Sequence, residues 1–271
     1  MTVATRVLGV DLAWGEGRPG RPANETGLVA VDSTGVIVHA GWARGLDEVV
    51  SWMTTWSTPE AVAMVDAPLV VRNATGMRPS EREVARRYGR WKVAANASNL
   101  ALPALAGLTL AARLGADGWR CADARHGPPT GGRWLYETFP YTTLVGAEEL
   151  GYDRERPIYK RKPRHLQPAE FRTLRAANCD ELIRRVAALR TADPPIDIAS
   201  HPVTATLADE PTPLVDRAVK HREDLLDAVL CAWTGLLWMR HGLERCQVLG
   251  PDDDDDPPAM ILAAARPEQR R

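Results

Sequence analysis

Two stretches early in the chain are apolar at nearly every position, and each stops on an aspartate: Val7-Leu8-Gly9-Val10-Asp11 and Ala61-Val62-Ala63-Met64-Val65-Asp66. Short unbroken apolar runs rich in Val predict strands buried on both faces, here over 6–12 and 61–66. Between them, 26–31 and 36–42 are β-type runs separated by Asp32-Ser33-Thr34-Gly35, a hairpin signal. Leu46, Val49, Val50 and Met53 recur at helical spacing, which predicts a helix over 46–56. The Gly- and Pro-rich stretch 14–25 reads as a loop. The order is strand, two-stranded hairpin, helix, strand.

The second half is more helical. Ser80 with Glu83 three residues later is a capping-box pattern and predicts a helix over 80–88. An apolar helix is predicted over 99–114, with Pro103 in its first turn. Residues 133–138 read as a strand stopped by Pro140. Pro168 opens a helix to 189 with Leu174, Leu182, Ile183 and Val186 on one face. The proline-rich stretch 191–213 reads as loop, and 221–241 as a last long helix closed by Gly242. Residues 245–249 and 260–264 are expected to pair as a hairpin around a solvated loop, Asp252 to Asp256. There is no internal repeat. Together these elements predict one α/β domain over 1–271. A mixed central sheet carries helices on both faces, and helical insertions at about 78–133 and 151–213 cover its carboxylate end.

Composition bounds the function classes. With 45% hydrophobic and 25% charged residues and a net charge of −1, the chain is that of a soluble globular protein. It is not a wholly basic nucleic-acid binder, although a local basic groove remains open. Four cysteines without C-x-x-C spacing read as reduced thiols. Residues 1–6 lack a signal-peptide pattern, and the apolar run 228–239 is too short for a bilayer. A cytoplasmic protein without a membrane partner is expected; oligomeric state is not legible.

The chemistry sits on the acids. A charge at the edge of a core costs several kcal/mol unless paired or metal-bound. Asp11 and Asp66 end strands, and Asp224 and Asp227, three residues apart, share one helix face. Brought together they make an oxygen-rich site suited to Mg²⁺ or Mn²⁺. Two such ions about 4 Å apart assist in-line displacement at phosphorus. Asp11, on the central strand, is then the bridging ligand and Asp66 takes one side. Glu137, also at a strand end, is a fifth candidate for the catalytic set, and His221 is placed to orient a water or protonate a leaving group. Each has a structural reading beside it. Asp11 can cap a turn, Asp66 an Asx turn before Pro68, and Asp224 a helix N-terminus with Asp227 at N3. Glu137 can be an ordinary ion-pair partner and His221 a surface histidine.

The segments Val10-Asp11-Leu12-Ala13-Trp14, Val65-Asp66-Ala67-Pro68-Leu69, Tyr136-Glu137-Thr138-Phe139-Pro140 and His221-Arg222-Glu223-Asp224-Leu225-Leu226-Asp227-Ala228 resemble the signatures of the domain of unknown function 429 family. The motifs span almost the whole chain, and their order is more specific than any one of them. The resemblance implies a ribonuclease H-like fold and a nuclease activity, on a fold that also hosts other chemistries. It also implies a role for Tyr159-Lys160, because a Tyr-Lys pair recurs there in the family. The chain departs from the pattern at Arg78-Pro79-Ser80-Glu81, where Arg-x-Cys-Asp is usual, so Glu81 receives no role.

Two basic segments bear on a substrate. Arg154, Arg156, Lys160, Arg161, Lys162 and Arg164 lie on a loop broken by Pro157 and Pro163. Arg82, Arg86 and Arg90 recur at helical spacing, with Arg87 and Lys92 beside them. Either can grip phosphates or be a balanced, solvated face. Lys160, Arg164, Arg78 and His221 are the substrate-binding candidates. Trp14, Trp42, Trp52, Trp56 and Trp91 read as core or cleft-rim aromatics. The leading expectation is a metal-dependent nuclease acting on DNA or RNA. A nucleotide-handling protein of the actin and sugar-kinase type needs a second lobe, and the Gly-Val-Asp strand has no second copy. A non-catalytic nucleic-acid or nucleotide-binding module is the remaining alternative.

Overall fold

The computed structural model describes residues 5–17, 20, 22–251 and 256–269. Of the expected acidic loop only Asp256 falls among them. Strands β1 (Arg6–Asp11), β2 (Glu25–Asp32) and β3 (Ile37–Arg44) form an antiparallel meander. Helix α1 (Leu46–Trp56) returns the chain to β4 (Ala61–Val65), parallel to β1. Then follow α2 (Pro79–Tyr88), α3 (Ala106–Ala116), β5 (Trp119–Cys121), β6 (Arg133–Glu137), α4 (Pro140–Gly146) and α5 (Pro168–Ala188). The chain ends with α6 (Pro202–Asp209), α7 (Asp216–His241) and the antiparallel pair β7 (Cys246–Leu249) and β8 (Ile261–Ala264). Six strands make one mixed sheet in the order β3-β2-β1-β4-β6-β5.

Side-chain alternation divides this sheet into two cores. Leu8, Val10, Ala63 and Val65 pack with Leu46, Val49 and Leu110 from α1 and α3. Val7, Val29, Val62 and Met64 pack on the other face with α7 and α5. Helix α7 lies unusually close to β1 and β2 because glycines face it. A Cβ on Gly9 would stand 2.0 Å from the Ala228 carbonyl oxygen, and one on Gly27 2.0 Å from that of Asp224. This close approach lowers the helix carboxylates onto the strand end.

Three expectations change. The helix expected from residue 99 starts at Ala106, because Pro103 lacks a donor and biases its predecessor away from helix. The final helix starts at Asp216, not 221, so Asp224 lies inside the helix and is no N-cap. Within 191–213, Pro202 opens α6, with the His201 ring accepting from Val203 N–H as its cap. No disulfide joins the four cysteines. No helix among the described residues is long and apolar enough to cross a membrane.

Candidate metal centre

Asp11 and Asp66 meet because their strands are neighbours in register. Val10 pairs with Val65, and Asp66 N–H donates to the Val10 carbonyl at 2.8 Å. Both aspartates fall on the sheet face that α7 covers, the parity of Gly9 and Met64. Asp227 comes down on them from α7. One carboxylate oxygen from each of Asp11, Asp66 and Asp227 lies within 4.8 Å of the other two. Thr26 steadies the loop beyond β1 by accepting from Ala13 N–H at 3.0 Å.

Two lysines and two more acids complete the cluster. Lys160 Nζ contacts Asp227 Oδ2 and lies 3.8 Å from Glu223. Tyr159 O–H donates to Asp227 Oδ1 at 2.8 Å. Lys220, one turn before Asp224, pairs with that carboxylate and with Glu223. Sequence reasoning missed Lys220 and Glu223. The i, i+4 spacing of Lys220 and Asp224 was the available signal.

Electrostatics record an excess of negative charge. Burial, then repulsion from Asp11, holds the Asp66 carboxyl well above the usual range. Burial and the Asp11 charge push the Asp224 carboxyl up to about 9, against the pull of Lys220. Asp227 is raised by burial and by Asp11 against the pull of Lys160, and burial raises Glu223 to about 6. Burial works against the Lys160 charge, but Asp227, Asp11 and Asp66 outweigh it and hold the ammonium protonated.

An acid whose folded-state pKa is raised binds more protons folded than unfolded, so its ionisation destabilises the fold as pH rises toward that pKa. For Asp224 the window runs from its ordinary value near 4 to about 9. The metal-free Asp224→Asn protein should therefore gain in melting temperature over the wild type as pH rises from 5 to 9. A gap that stays flat or shrinks in a thermal-melt series would show that Asp224 ionises freely beside Asp11.

The other expected site residues lie outside the carboxylate triad. Glu137 pairs in register with Val65 and so takes the opposite strand parity from Asp11, although it lines the same cavity as Asp66. Arg78 binds it through both terminal nitrogens, and Leu69 N–H donates to it at 3.1 Å. Glu137 is thus an ion-pair partner and not a member of the carboxylate triad. Arg78 is itself buried between Glu137 and Glu81, with Nε 2.8 Å from Glu81 Oε1, so its charge is already paired, although it lines the cavity that Asp66 and Lys160 share. Glu81, which received no role, also accepts from the Arg78 and Ser98 N–H groups. His221 stacks on Trp42 at 3.7 Å and holds Glu25 Oε2 at 2.6 Å through Nδ1, at the rim. Arg164 is exposed.

The two basic segments differ in their pairing. Arg86 and Arg87 pair with Glu83, Arg90 with Glu268 and Lys92 with Glu155. Apart from Arg82, which donates to the Met77 carbonyl, that segment is a balanced surface. On the other loop Arg156 bonds only backbone carbonyls, Arg161 the Asn96 side chain and Lys162 backbone carbonyls. Asp66 and Lys160 also line a cavity of about 200 Å³ whose other walls include Trp14, Phe139 and Tyr141.

The donor set fits a hard divalent cation. It is all oxygen, anionic, partly buried and mutually repelling, which an ion would relieve. No curated protein and no solved structure matches the chain. Residues 9–255 match the model of the family described as protein of unknown function (DUF429), and the chain belongs to that family.

Proposed function

We propose that this protein is a phosphodiesterase acting on nucleic acid, with Mg²⁺ or Mn²⁺ held by Asp11, Asp66 and Asp227 on a ribonuclease H-like sheet. The observation that carries the reading is the convergence of those three carboxylates within 4.8 Å from two parallel strands and a crossing helix. The strand order, an antiparallel meander followed by parallel strands beyond β1, supports the fold assignment. A bound divalent ion supplies charge to polarise a phosphoryl oxygen and to make a water more acidic. The chain does the rest. Tyr159 fixes the orientation of Asp227 through its hydrogen bond. Lys160, the ammonium that now neutralises Asp227, is positioned to exchange that carboxylate for a phosphate oxygen. Lys220 pairs with Asp224 beside this set and balances part of its negative charge.

The Lys160–Asp227 contact also favours a second reading, a non-catalytic binding module whose acids are neutralised by lysine alone. A panel of single- and double-stranded DNA, RNA and hybrid substrates separates the two. Cleavage is expected with Mg²⁺ and Mn²⁺, none with chelator, and binding without turnover in Ca²⁺. At about 100 times its Kd the ion should raise the melting temperature by about 5–10 °C. Inactivity on every substrate, with no thermal shift, would leave the binding module.

A further inference from the structure

Resting on the phosphodiesterase reading, we propose that the cavity beside the carboxylates takes the last, unpaired nucleotide of a strand, so that the protein trims nucleic acid from an end. The cavity, about 200 Å³, is below the roughly 300–1,000 Å³ of drug-sized ligand sites and takes one ring system, not a base pair. Trp14, Phe139 and Tyr141 offer it apolar and π surface, with Phe139 and Tyr141 edge-on at 5.5 Å. Two hydroxyls there are unsatisfied. Ser98 lines the cavity, is 1% exposed, and its Oγ has no hydrogen-bond partner; the buried Tyr141 hydroxyl has none either. Buried polar atoms left unpaired are uncommon and call for a partner, which a base edge or sugar hydroxyl supplies.

The charge pattern points the same way. Arg156 and Arg161 line this cavity, Arg156 standing 4.4 Å above the Tyr141 ring, and neither meets a carboxylate. Aromatic faces beside a cationic track are how single strands are held. A base within a duplex reaches such a cavity only by leaving its stack, a cost that a frayed or single-stranded end largely avoids. In the reaction a water oxygen bonds to phosphorus, the P–O bond to the penultimate nucleotide breaks, and the departing oxygen takes a proton. The products are a mononucleotide and a shortened strand.

The test uses one oligonucleotide sequence as a linear strand and as a ligated circle, in DNA and in RNA, with the full chain and Mn²⁺. The linear form should yield mononucleotides, with the circle cut at least about tenfold more slowly because no end can enter the cavity. A circle cut as fast as the line, or internal fragments from the line, overturns end trimming and leaves the phosphodiesterase standing. Neither form cut overturns both. Tyr141→Ala should raise KM for the linear strand roughly 5- to 150-fold, the value of one stacked base. Tyr141→Phe keeps the ring and should raise it less. An unchanged KM in a folded Tyr141→Ala protein would also overturn the assignment.

Discussion

Asp66→Asn is expected to abolish metal-dependent cleavage while leaving the metal-free protein as stable as the wild type or more so. Asn preserves size and hydrogen bonding but removes the charge that holds a divalent ion. The loss should exceed the roughly 10–100-fold seen when only an outer partner of a metal site is removed. The stability half follows from the apo electrostatics. Asp66 is penalised by burial and by Asp11, so a neutral side chain relieves both. The same argument makes Asp11→Asn inactive. Cleavage rates and thermal melts on the same preparations check the pair of effects together. Retained cleavage, or loss of activity accompanied by a large drop in melting temperature, would assign Asp66 a structural role.

Arg78→Ala should give the largest loss of stability. The guanidinium lies between the Glu81 and Glu137 carboxylates, and all three residues are buried. Burial opposes the Arg78 charge, yet the two acids outweigh it and raise its pKa. Removing one partner of a buried ion pair costs about 3–5 kcal/mol because the remaining charges lose their compensation. In a chain of this size that lowers the melting temperature by on the order of 10 °C. Adding Glu137→Gln should recover part of it, since one orphaned charge disappears. An Arg78→Ala protein with wild-type stability and a raised KM would make Arg78 a phosphate contact after all.

The pattern of apolar runs carried most of the central sheet. The runs ending at Asp11 and Asp66 are β1 and β4, and the Asp32–Gly35 turn joins β2 to β3. Proline is excluded from helix interiors but favoured at the first position, so Pro202 opens a helix inside the stretch expected to be loop, and Pro140, which follows the end of β6 as expected, also opens α4. Three-residue β5 is too short to show a period. At the site, the strand-end aspartates were legible because a charge at the end of a buried run has few structural uses. Glu137 looked equivalent, and only strand parity, fixed by pairing, sets it apart from the triad. The approach of α7 depends on Gly9 and Gly27 both facing the helix, which requires knowing which helix lies there. The pairing of Arg78 with Glu137 spans 59 residues and leaves no local trace.

A crystal of the protein soaked in Mn²⁺ and measured at the manganese absorption edge shows whether the three carboxylates hold an ion. An anomalous peak bound by oxygens of Asp11, Asp66 and Asp227 is expected, with Lys160 Nζ displaced from Asp227. The absence of a peak at those carboxylates at saturating Mn²⁺, with Lys160 still seated on Asp227, would contradict the metal assignment.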